Sequence, residues 1–233
     1  MSIRLDKYLS DLGIGSRKET KDIIRKGLVT INGKVENNSG AAVDIDADTV
    51  ALSGQILKYS KYRYFKMYKP CGVLTACNDR NAKTVIDMLP PELQKIGLFP
   101  VGRLDKDTRG LLLLTNNGDY AHKVITPKYH IEKRYHAKTD GVLSEETVEA
   151  FRNGIVLKDG TACLPAELEL ISENECIVTV VEGKYHQVRR MLASQGAFCL
   201  ELERISVGPI TLDGLSEGEV LEMTEEEAER VFV

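Results

Sequence analysis

VGRLDKDTRGLLLLTNNGD, residues 101–119, contains the longest purely aliphatic run in the chain, Leu111 to Leu114. A short apolar run bounded by turn residues reads as a buried strand. A loop rich in charge and glycine precedes it, and Asn116-Asn117-Gly118-Asp119 follows as a turn. A rigid strand flanked by polar loops can hold a reactive side chain still at the edge of a cleft. Asp105 is the candidate for that side chain.

Upstream of this stretch, Tyr64 to Tyr68 is rich in β-formers and reads as a strand ended by Lys69-Pro70. Cys71 to Thr75 would turn and start another, and Thr84 to Leu89 reads as a short helix stopped by Pro90-Pro91. Downstream, Asp119 can cap a helix running through Val124, and Ile131 to Lys138 reads as a strand. Ser144, with Glu145 and Glu146 in the first turn, opens a helix closed by Gly154. Cys176 to Val181 reads as a buried strand, and Lys184 to Gln195, closed by Gly196, as a helix. Thr224 with Glu227 three residues later is a capping box for a last helix. Strands and helices alternate without regular βαβ spacing. An α+β domain with a mixed, largely antiparallel sheet flanked by helices is expected.

The N-terminal end reads as a separate small α/β module. Leu5, Tyr8, Leu9 and Leu12 recur at helical spacing up to Gly13. Ser16 and Glu19 form a capping box that opens a basic helix through Lys26, with Gly27 as its cap. Val29-Thr30-Ile31, Asn32-Gly33 and Lys34-Val35 make a strong hairpin signal. A boundary is expected near Gly54 to Ser60, giving domains of 1–57 and 58–233.

The 233 residues carry a net charge of −4, but the charge is uneven. Residues 1–35 hold eight Lys/Arg against four acids, whereas residues 211–233 hold eight acids against Arg230 alone. A basic head of this kind suits a polyanionic partner. The N-terminus lacks a signal-peptide core, and no apolar run approaches the ~20 residues needed to span a bilayer. A cytosolic monomer with no membrane contact is the expectation. Five cysteines without a Cys-x-x-Cys pair, and four scattered histidines, point to free and mostly buried thiols and no metal site.

Three stretches carry the chemistry: Gly102 to Gly110, Glu132-Lys133-Arg134-Tyr135, and Glu182 to Met191 (EGKYHQVRRM). Asp105-Lys106-Asp107-Thr108 imitates the nucleophile motif of Mg²⁺-dependent phosphatases. Pro100, Gly102 and Arg103 interrupt what precedes Asp105, however, and no later aspartate pair completes a metal site. The full set, with Lys69-Pro70-x-Gly72 before it, resembles the pseudouridine synthases, within them the RsuA-type branch acting on ribosomal RNA. Thr126 to Tyr135 looks closer to the small-subunit (16S) branch than to the large-subunit (23S) one. Residues 3 to 50 resemble the RNA-binding module first known from a small-subunit ribosomal protein.

The resemblance implies isomerisation of an rRNA uridine with no cofactor and no metal, on rRNA or a small-subunit assembly intermediate. Asp105 takes the catalytic aspartate's position, Arg189 that of its basic partner, and Tyr135 that of the aromatic residue stacking on the target base. Arg103 would hold the flipped nucleotide, and Leu192 would pack under the base. Arg4, Ser16, Arg17, Arg25 and Lys26 take the RNA-contact positions. His186 is expected to be structural or RNA-facing. A non-catalytic RNA-binding assembly factor is the rival from another class.

Overall fold

The computed structural model describes all 233 residues, which divide into two compact units: 1–63 with 89–98, and 64–88 with 99–233. In the first unit β1 (Ser2–Arg4), α1 (Leu5–Asp11), α2 (Arg17–Arg25), β2 (Val29–Ile31) and β3 (Lys34–Val35) are followed by β4 (Ala42–Asp44), β5 (Val50–Leu52) and β6 (Gln55–Leu57). A short helix, α3 (Pro91–Gln94), belongs to the same unit. β1 pairs with β4, and β3-β2-β5-β6 form an antiparallel sheet. Leu5, Tyr8, Leu9, Ile24, Val29, Val43 and Val50 make the core under the two helices. The capping box is present: Ser16 Oγ accepts from the Glu19 amide, and Glu19 Oε2 accepts from the Ser16 amide at 2.7 Å. Asn32 and Gly33 both take positive φ, as the hairpin signal requires.

The second unit is built on a nine-stranded sheet of β7 (Tyr64–Lys69), β8 (Phe99–Val101), β9 (Arg109–Thr115), β10 (Lys133–Thr139), β11 (Glu167–Ser172), β12 (Glu175–Val180), β13 (Cys199–Val207), β14 (Ile210–Thr211) and β15 (Val220–Met223). Its main path runs β11-β12-β10-β13-β9-β7-β15, with β8 on β9 and β14 on β13. Only β9 and β13 run parallel. Helices α4 (Gly118–Ile125), α5 (Glu145–Asn153), α6 (Gln187–Ser194) and α7 (Glu225–Glu229) flank it. The α+β class with a mixed, largely antiparallel sheet is therefore what the chain adopts. The Leu111–Leu114 run lies in β9, buried at every position, between β7 and β13.

Gly110 fixes where β9 meets β13. Its φ is +115°, and a Cβ there would stand 2.3 Å from the Arg204 carbonyl oxygen and 2.5 Å from the Arg204 nitrogen. Only glycine allows this approach.

Several local expectations are corrected. Thr84 to Leu89 forms turns rather than a helix, because the Asp87 carboxylate binds both the amide and the hydroxyl of Thr84 (2.8 and 2.9 Å). The helix lies beyond, in α3, with proline at its first position. Cys71 to Thr75 turns without starting a strand; only an isolated bridge, Leu74 to Thr84, forms. The cap of α4 is Asn117, whose side chain accepts from the Tyr120 amide, not Asp119. α6 begins at Gln187 rather than Lys184, because His186 stands in the left-handed region (φ 48°, ψ 36°) and cannot extend a right-handed helix. The cysteines are all free, but Cys71 and Cys77 are exposed and only Cys163 and Cys176 are buried. No helix is long and apolar enough to cross a membrane.

Candidate active site

Asp105 sits in the loop joining β8 to β9, which is pinned from below. The buried ammonium of Lys69, the last residue of β7, donates to the carbonyls of Pro70 (3.0 Å), Asp105 (3.1 Å) and Thr108 (2.8 Å), with Lys106 at 3.4 Å. Those carbonyls satisfy a cation with zero solvent exposure. Burial still pushes Lys69 down to about 8. Thr75 holds both ends of the Leu104 peptide, its hydroxyl donating to the carbonyl (2.7 Å) and accepting from the amide (3.2 Å). The Gly72 amide donates to the Lys106 carbonyl at 2.7 Å. Where the loop enters β9, Arg109 is bound by Glu203 (3.1 Å) and Glu201 (3.3 Å). The Lys-Pro-x-Gly stretch is thus the clamp of the Asp105 loop.

The third motif forms a second rigid turn facing that loop. Glu182 is buried; its carboxylate accepts from the Leu164 amide and from Gln187 Nε2 (both 2.9 Å) and pairs with Lys184 (2.7 Å). Gln187 Oε1 in turn accepts the Lys184 amide at 3.0 Å. This network holds Tyr185 and His186 outward. Their rings stack at 3.9 Å, and His186 Nε2 lies 3.3 Å from Asp105 Oδ1. His186 is therefore the ionisable group placed on the Asp105 carboxylate.

Asp105, Arg103 and Tyr135 come together in one cleft of about 400 Å³, which Lys133, Lys184, Tyr185, His186 and Arg204 also line. Tyr135 faces it from β10. Asp105 is the only carboxylate on its wall, among several cations. An exposed cationic rim, an aromatic face and one carboxylate together suit a nucleotide drawn out of its stack.

Two expected members lie elsewhere. Arg189 does not meet Asp105. From α6 its guanidinium pairs with the Asp107 carboxylate (3.2 Å) and donates to the carbonyls of Asp107 (3.1 Å) and Cys199 (3.0 Å). Its Nε is buried without a partner. Leu192 is fully buried in the apolar cluster between α6 and the sheet and does not reach the cleft, since it projects from the inner face of α6. In the first unit, Arg17 and Lys26 are exposed and form no ion pair, as is Lys18, which sequence reasoning passed over. Arg4 is held bidentate by Asp6 (3.0 and 2.8 Å), Arg25 lies 3.6 Å from Asp22, and the Ser16 hydroxyl is occupied by its cap.

Sequence reasoning also missed Lys133 and Arg204. Lys133 stands two residues before Tyr135 on one strand, so the two share a face, a signal that was available. Arg204 could be found only from the register that sets it opposite Tyr135.

Residues 63–194 match the family model for RNA pseudouridylate synthases, and residues 3–49 match that of the S4 domain. An uncharacterized RNA pseudouridine synthase of Bacillus subtilis is 40% identical over 97% of this chain and 96% of its own length. The ribosomal small subunit pseudouridine synthase A of Vibrio cholerae is 38% identical over 99% of this chain and 100% of its own. For the ribosomal large subunit pseudouridine synthase B of Bacillus subtilis the figures are 36%, 98% and 95%. A crystal structure of a pseudouridylate synthase superposes with a TM-score of 0.69 at 31% identity, covering 98% of this chain and 99% of that one. The chain belongs to the RNA pseudouridylate synthase family, with an S4 RNA-binding domain at its N-terminus, and is an isomerase that converts uridine in RNA to pseudouridine.

Proposed function

We propose that the substrate is one specific uridine of ribosomal RNA, in the small-subunit (16S) molecule or its assembly intermediate, and that the protein acts as a cytosolic monomer without cofactor. The observation that carries the site assignment is a single carboxylate, Asp105, held on a clamped loop beside Tyr135 in a cationic cleft. The uridine leaves its stack and its base lies against Tyr135, while Arg103 at the exposed rim takes the phosphate or ribose. Asp105 acts on the ribose: as nucleophile it bonds to C1′ as N1 leaves and is displaced when C5 bonds there, or as base it takes the C2′ proton as N1 leaves and returns it when C5 bonds to C1′. The N1–C1′ bond breaks with its electron pair going to N1, the base turns, and C5 bonds to C1′. The C5 proton then leaves and N1 gains one, so no redox step occurs.

Arg189 serves this chemistry by holding Asp107, and with it the Asp105 loop; Leu192 supports α6 from the core. Residues 1–57 grip RNA and residues 58–233 perform the reaction. Within the first part, Arg17 and Lys26 are the free phosphate contacts, with Arg4, Ser16 and Arg25 able to join by exchanging partners. The similarity to a small-subunit enzyme and the Thr126–Tyr135 stretch support 16S. The nearly equal similarity to a large-subunit enzyme makes 23S the second reading. Pseudouridine mapping of both rRNAs from cells with and without this protein decides between them. One lost site in 16S is expected, and a lost site in 23S instead would overturn the assignment. Losing none would refute ribosomal RNA as the substrate.

A further inference from the structure

Lys133 and Arg204 form an electrostatic anomaly in the wall of the cleft. Lys133 is 7% exposed and Arg204 3%. Neither has a carboxylate partner. Lys133 donates only to the Ile131 carbonyl (2.8 Å), and Arg204 Nε only to the Leu111 carbonyl (2.7 Å). One terminal nitrogen of Arg204 is buried with no acceptor. Burial, reinforced by the neighbouring Arg204, pushes Lys133 down to about 8. Two like charges buried together without a counterion are strongly unfavourable in a resting protein. Such a feature is retained where the missing partner is a ligand.

The sheet explains the placement. Lys133 and Tyr135 are two residues apart on β10 and share a face, and Arg204 on β13 pairs with Tyr135 across the ladder. All three line the cleft that holds Asp105. The buried cations and the aromatic ring are therefore neighbours on one floor. A phosphate is bulky and strongly hydrated, and the exposed Arg103 already meets it at the rim. What can reach a floor this deep is a flat ring lying against Tyr135.

We propose that Lys133 and Arg204 are an anion site for the uracil ring in its detached, negatively charged state. This rests on the reading that the cleft receives a uridine. When N1–C1′ breaks, the electron pair stays on N1 and the base is a delocalised anion, its charge shared with the flanking carbonyl oxygens. Two preorganised cations stabilise that state and not the neutral uridine that enters, which is how a site lowers a barrier rather than tightening substrate binding. They also retain the free base while it turns to present C5.

The test uses free bases as probes and requires no turnover. 5-Nitrouracil is anionic at neutral pH, and uracil is neutral. The full-length protein is expected to bind 5-nitrouracil at least about tenfold more tightly than uracil, by calorimetry. Lys133→Met should reduce that preference to within about twofold and lower kcat on labelled rRNA on the order of 10²-fold, with KM for RNA little changed. It should also raise Tm, because it removes an uncompensated buried charge; a structural lysine would give the opposite shift. Lys133→Arg should restore part of both losses. Equal affinity of the wild-type protein for the two bases overturns the proposal without touching any variant, and so does a Lys133→Met protein with lowered Tm and unchanged preference. A wild-type protein that prefers the anion yet forms no pseudouridine in rRNA would instead sustain the anion site and refute the rRNA substrate reading.

Discussion

Replacing Lys69 by methionine should disable the enzyme from beneath its active site. Methionine fills much of the same volume but provides no donor, so the carbonyls of Pro70, Asp105 and Thr108 lose a charged partner. Leaving a buried acceptor unpaired costs roughly 1–3 kcal/mol. Against that, burial of the ammonium holds its pKa at about 8 instead of 10.5, a penalty of ~3 kcal/mol that methionine removes. With three acceptors left unpaired, the loss exceeds that gain by about 3 kcal/mol, within a span from near zero to about 6, and it is concentrated in the loop that carries Asp105. A misplacement of about 1 Å at a reacting group costs on the order of 10²-fold, so kcat should fall by about that factor while RNA affinity is retained. Single-turnover kinetics with saturating enzyme separates the two effects. The stability difference also has a pH signature. Between pH 8 and 10.5 the unfolded chain keeps the Lys69 proton that the folded chain has released, so the wild-type protein gains stability relative to Lys69→Met as pH rises through that window, by up to ~3 kcal/mol. Near wild-type kcat in Lys69→Met, or a wild-type stability advantage that narrows as pH rises from 8 to 10.5, would refute the clamp.

Other substitutions test the fold and the RNA grip. Gly110→Ala should destabilise the second unit by roughly 3 kcal/mol or more, because its Cβ would meet the Arg204 backbone; denaturant unfolding followed by circular dichroism measures this. Arg17→Ala combined with Lys26→Ala should flatten the dependence of log K on log salt by about 0.7–0.9 per lost phosphate contact. An unchanged slope in a filter-binding titration would remove them from the interface. Thr224→Ala removes the hydroxyl that accepts from the Glu227 amide, and should cost about 1 kcal/mol, a drop of a few degrees in Tm by calorimetry.

Much of the framework was legible because it rests on local rules. The Leu111–Leu114 strand, the Ser16, Ser144 and Thr224 helix starts and the Asn32-Gly33 hairpin each follow from a few adjacent residues. The long strand β13 is not legible in the sequence, since its exposed start and alternating charges give no continuous apolar signal. The site divides in the same way. The cleft holds Asp105, Tyr135 and Arg103, which lie in long motifs. What those motifs do is tertiary: Lys69 looks like the end of a strand until its ammonium is seen beneath three carbonyls. Arg189 looks like a partner for Asp105, but its reach from α6 ends on Asp107. His186 is expected to be structural or RNA-facing because the resemblance gives it no part in the chemistry; its placement on Asp105 depends on a left-handed backbone at its own position, which no local signal shows.

The most direct test of the account is release of tritium from rRNA transcripts labelled at uridine C5, catalysed by the wild-type protein and by Asp105→Asn. Moving the glycosidic bond to C5 expels that hydrogen, so each pseudouridine formed liberates one. The wild-type protein should release about one equivalent per transcript. Asp105→Asn should release none while binding the same transcript with comparable affinity. Release by Asp105→Asn at near the wild-type rate would contradict the central claim, since the carboxylate held by the Lys69 clamp would then not be the group that acts on the ribose.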